Sequence, residues 1–237
     1  MATTPPGPTN RLTMADIAAD VLAYGLAAGL SGTAFLATAI VLSTDRGPAN
    51  AVALLVGFLV VLVPAVVAAA ILTDVLTAPG GQQVVVTSVQ LALGILLLST
   101  AWRVRPGRGD GPDIGAKVAV MTTRAQALEP RTAARLGIGL AVLPKRLVIT
   151  LLAGAAIGAS GVSVSQGLTL TVLYVLTATS LIWITLAAFV LGGERARSGL
   201  DDARAWVTAN AETLAFVVTL LFGVLFTGGA IAGLVWS

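Results

Sequence analysis

The sequence predicts an all-α integral membrane protein of six transmembrane helices, and three observations predict it. Hydrophobic residues make up 57% of the 237-residue chain and charged residues only 11%, where a soluble domain carries about a quarter. The run Leu147–Gly193 contains no charged side chain, enough for two crossings of about 20 residues each and a turn between them. The other apolar runs are separated by short stretches where proline, glycine and charge collect, as in Asp45-Arg46-Gly47-Pro48.

Composition also excludes several functions. Cysteine and histidine are absent, which removes disulfides, thiol nucleophiles and the usual zinc and haem ligands. No histidine base exists, and no carboxylate pair stands beside a nucleophile. The glycines at 107, 109 and 111 lack the Gly-Lys-Ser/Thr ending of a phosphate loop. No enzyme, cofactor or metal is expected. The net charge of +3 sits beside apolar runs rather than in a basic groove, so it reads as a topology signal and not as a nucleic-acid surface.

Residues 1–13 form a flexible tail by their prolines and glycine, with no signal-peptide core expected. The first helical unit is Met14–Leu42, with Asp16 and Asp20 at the interface. Ser31 and Gly32 lie in a small-residue run near its middle, where the helix can pack closely or break. The second span runs from Pro48 to about Leu72 around Pro64, a third candidate for a break or bend. The turn Thr73–Gly81 carries Asp74. The third span, 82–102, has Gln90 as its central amide, expected to face the protein interior. Residues 103–134 are a basic connection holding Arg103, Arg105, Arg108, Lys117, Arg124 and Arg131, suited to anionic headgroups.

The fourth span begins either at Arg135 or, the favoured reading, at Pro144 after an interfacial or re-entrant piece, because proline fits a first helical turn. At its mouth Lys145 and Arg146 admit two readings, an interface anchor or part of a binding or gating site. Gly158–Gly167 is the outer turn. The fifth span, Leu168–Leu191, is one helix with a polar middle in which Thr177 and Ser180 either line a path or return their hydroxyls to their own helix. A charged connection at 192–210 with an interfacial helix leads to the last span, 211–235, near whose start Glu212 stands. Asp74 and Glu212 are the candidates for proton coupling.

Counting Lys and Arg places the long connection inside and both termini outside. The unit 14–102 and the unit 135–237 then have opposite orientation, the arrangement of two inverted three-helix repeats that favours a transporter.

Two local sequences carry a resemblance. Asp45-Arg46-Gly47-Pro48-Ala49-Asn50 leads into Leu54-Leu55-Val56-Gly57, and Leu143-Pro144-Lys145-Arg146 opens the fourth span. On these the chain resembles the GAP or sulfolipid-addressing family of actinobacterial membrane proteins, within the LysE superfamily of six-helix exporters. Pro144 and Lys145 match the Pro-Lys element at that place in LysE-type carriers. The resemblance implies a protein of the bacterial cytoplasmic membrane that helps move a cell-envelope lipid or glycolipid toward the surface. An exporter of amino acids or small metabolites and a noncatalytic scaffold for lipid-export machinery are the alternatives. Anionic membrane lipids, a second copy of the chain and such machinery are the expected partners.

Overall fold

The computed structural model describes residues 13–76, 91, 94, 95, 98, 99, 102 and 128–235. The third span with Gln90 therefore lies almost wholly outside the described residues, as do the tail to residue 12, positions 103–127 of the basic connection and the side chain of Glu212. Every regular element among the described residues is helical.

Helix α1 (Met14–Gly29) starts with a reciprocal cap. Asp16 N–H donates to Thr13 Oγ1, and Thr13 N–H donates to the Asp16 carboxylate at 2.8 Å. It stops at Leu30, and α2 (Gly32–Leu42) departs at 58°. Helix α3 (Gly47–Leu76) carries Pro48 in its first turn and runs on through Pro64 without a break. Pro64 is exposed, so its missing N–H disturbs no packed face. Asn50, fully buried, donates from Nδ2 to Thr44 Oγ1 at 2.9 Å and to the Leu128 carbonyl at 2.8 Å. One amide thus ties the foot of α3 to the end of the basic connection.

Helices α4 (Pro130–Ala141) and α5 (Pro144–Ala159) each begin with proline at the first position and meet at 70°. The turn expected at Gly158–Gly167 is shorter, Ser160–Ser163 with Gly161 at φ 63°, a conformation open to glycine at no steric cost. Helix α6 (Val164–Ala178) opens with a Ser163–Gln166 capping box. It yields at Thr179 to α7 (Ser180–Ala209), bent by 61°. This corrects the single fifth helix expected over Leu168–Leu191. No glycine or proline marks the bend. The Val175 carbonyl still accepts from Thr179 N–H at 3.0 Å as well as from Thr179 Oγ1 at 2.7 Å, whereas the Leu176 carbonyl accepts from Trp183 Nε1 at 3.0 Å, so an indole serves a carbonyl in the last turn of α6. The charged connection expected at 192–210 is a helical continuation of α7. After Asn210 the chain enters α8 (Ala211–Val235).

The core is a seam of α3 against α4 and α5. A Cβ on Gly57 would strike the Ala134 carbonyl, one on Gly137 the Leu54 carbonyl, and those on Gly154 and Gly158 the carbonyls of Val66 and Ala70. Backbones meet along the whole length of α3 because no side chain intervenes. Helix α1 packs on α5 and α6, with Tyr24 stacked on Phe226 of α8 at 5.0 Å. Outward faces carry exposed Val56, Val60, Ile71, Val172 and Leu221, the surface a hydrocarbon solvent calls for. Gly47–Val75 and Thr213–Ala232 are each long and apolar enough to cross a membrane, and the three bent pairs raise the number to as many as five. The chain is a membrane protein.

Candidate functional site

The site grows from two chain breaks, at Leu30–Ser31 and at Val142–Leu143. Pro144 has no N–H, so the Leu140 carbonyl loses the donor that a continuous helix would give it. The break before Gly32 leaves the Ala28 carbonyl in the same state. Arg146 answers both. Its Nε donates to Ala28 O at 3.1 Å and its Nη1 to Leu140 O at 3.0 Å, while the guanidinium lies over the Phe58 ring with 4.6 Å to the centroid. The side chain is 4% exposed. Both carbonyls belong to last turns, where helix dipoles present negative charge, so the cation is held by two helix ends and an aromatic face.

Lys145, one residue earlier, points elsewhere. Its Nζ donates to Thr219 Oγ1 on α8 at 3.3 Å, and the residue keeps accessible surface. It lines a cavity of about 300 Å³ whose other walls are Leu30, Ser31, Gly32 and Thr33 at the first break, Phe35 and Leu36 of α2, Leu181, Trp206 and Val207 of α7, and Leu214, Ala215, Val218 and Thr219 of α8. Among the described residues Lys145 is the one formal charge in that lining. The Ser31 and Thr33 hydroxyls share a 2.8 Å hydrogen bond at its rim.

The expected site residues therefore separate. Lys145, Ser31 and Gly32 line the cavity, and Pro144 creates the break that aims Lys145 into it. Arg146 does not face it. Thr177 donates to its own Leu173 carbonyl at 2.7 Å and packs against Gly25. Ser180 sits at the bend, half-buried and outside the lining, as does exposed Asp74 near the end of α3. Thr219 and Trp206 were missed: one hydroxyl in an apolar run and one indole in a charged connection carry no sign of where the corner between α7 and α8 will fold back. A second cavity, of about 460 Å³, lies between the Ser43–Asp45 turn and Asp201 and Arg204 of α7. Its lining mixes both signs of charge, and its Ser43 and Thr44 hydroxyls already donate to Ala39 and Val41 carbonyls.

No curated protein and no solved structure matches the chain. A family model does, that of Sap, sulfolipid-1-addressing protein, over residues 21–232. With nearly the whole chain inside that match, the protein belongs to the Sap, sulfolipid-1-addressing protein family.

Proposed function

We propose that this chain is a multi-pass protein of the bacterial cytoplasmic membrane that helps export an envelope lipid with an anionic headgroup, without catalysing a covalent reaction. The observation that carries the reading is the cavity at the two breaks, where a single cation stands in a largely apolar lining. A lipid supplies both halves of that chemistry, and the family's description names a sulfolipid. An amino acid is a poorer fit, because its ammonium needs an acceptor and, among the described residues, no carboxylate lines the cavity.

The bent pairs α1–α2 and α4–α5 open the two halves of the chain at 58° and 70°. That correspondence supports six spans in two inverted three-helix units with both termini outside, as in LysE-type exporters, and broken helices around a midplane site suit alternating access. Anionic lipids of the inner leaflet, a second copy and a lipid-export complex are the partners this reading assigns.

The test is translocation of headgroup-labelled lipids in sealed liposomes by the full chain and by Lys145→Ala, with efflux of labelled amino acids in parallel. Lipid movement that falls at least about tenfold in a folded variant, a loss of about 1.4 kcal/mol, is expected. Amino-acid efflux alone would select the small-solute exporter. Neither activity, under imposed ion gradients and with partner proteins supplied, would leave the scaffold.

A further inference from the structure

We propose that Lys145, Thr219 and the Ser31–Thr33 pair form an oxyanion seat, which binds one sulfate- or phosphate-type group while the rest of the ligand lies along the apolar wall. The inference rests on the export reading and supplies the chemistry of its site.

Thr219 is the observation that points to a ligand. Thr38, Thr150, Thr171, Thr179 and Thr185 each donate to the carbonyl four residues earlier. Thr219 does not: its oxygen accepts from Lys145 across two helices, and its own proton meets no acceptor among the described residues. The residue is 5% exposed. A buried hydroxyl with an unused proton is costly unless something arrives to accept it. Lys145 offers three N–H donors, of which one is directed at Thr219. Between Ser31 and Thr33, one shared hydrogen bond leaves one of two protons for a third group.

Backbone adds to the set. Ser31 is the N-cap of α2 and makes no side-chain cap; the Ala34 amide bonds the Ser31 carbonyl, so the Gly32 and Thr33 amides of an 11-residue helix stand at the cavity rim without side-chain partners. Every one of these groups can donate, and among the described residues no lining side chain carries negative charge. A compact group of acceptor oxygens with one or two negative charges is what such an array holds. Phe35, Leu36, Leu181, Leu214 and Val218 provide the apolar flank for whatever the group is attached to.

The test is native mass spectrometry of the full chain titrated with sulfatide, with galactosylceramide, which is the same lipid without its sulfate, and with sulfatide in the presence of inorganic sulfate. Sulfatide is expected to bind at least about tenfold more tightly than galactosylceramide. Lys145→Gln and Thr219→Val should each weaken sulfatide about tenfold and leave galactosylceramide unchanged, while Thr219→Ser, which keeps the hydroxyl, should bind as the parent does. Competition by inorganic sulfate assigns the seat to the oxyanion alone. Its failure to compete, with the Lys145 dependence intact, assigns it to an oxyanion borne on a lipid. Unchanged sulfatide affinity in both variants, or galactosylceramide binding as tight as sulfatide, overturns the seat. Liposome translocation on the same preparations separates the two readings: binding without movement removes the export role and keeps the seat, and movement indifferent to Lys145 and Thr219 does the reverse.

Discussion

Arg146 shows how one side chain can hold three helices. Its donors meet carbonyls of α1 and α4 from a position on α5, so its removal leaves two buried acceptors without partners. Each such group costs about 1–3 kcal/mol, and Arg146→Gln is expected to lower stability by at least about 2 kcal/mol, read as a fall in melting temperature in detergent. Arg146→Lys should recover part of this and not all, since an ammonium is a point charge and cannot fork between two carbonyls. Trp183→Phe tests the smaller cap. It removes the donor to the Leu176 carbonyl while keeping an aromatic surface, and a loss of about 1 kcal/mol is expected. The cation pair had two readings in the sequence, and adjacency is the reason. Neighbours on a helix point about 100° apart, so one lysine and one arginine in succession face different surroundings, and only the positions of Ala28, Leu140 and Thr219 decide which faces which.

At the scale of elements, legibility followed local chemistry. The breaks at Ser31 and Pro144 were visible because small hydroxyl residues and proline mark them in the sequence. The bend at Thr179 was not, because no glycine or proline marks it and the indole that serves the Leu176 carbonyl comes from seven residues on, while a threonine bonded to the carbonyl four residues back stands in unbroken helix at Thr171, Thr177 and Thr185. Pro64 marks no break: α3 runs through it as one helix, with the proline on an exposed face. Pro144→Ala restores the N–H to the Leu140 carbonyl and removes the reason for the α4–α5 break. Spin labels on single cysteines in α4 and α5 should report a straighter pair, and a chain without native cysteine gives that measurement no background. The glycine seam makes a paired prediction. Gly137→Ala places a methyl against the Leu54 carbonyl and should cost about 1–3 kcal/mol. Gly139→Ala, two residues away with nothing within 4 Å of its added carbon, should instead stabilise α4 by about 0.5–1 kcal/mol; equal melting temperatures for the two variants would deny the seam its role.

Across the whole molecule the two sides of the cavity are built differently. On one side Arg146 pins both breaks, and the backbone seam of α3 holds α4 and α5 behind them. On the other side α8 approaches α2 and α7 more loosely, and a Cβ on Gly223 would meet Leu98 of the third span while one on Gly94 would meet Thr227. Its outward face, with Val217, Leu221, Val224 and Leu225 exposed, is left for acyl chains to cover. The bilayer is therefore a structural component of the site. A site walled on one side by a helix that faces acyl chains is expected to feel its solvent: ligand affinity measured in bilayers of different chain length should vary, while the Arg146 side keeps its geometry.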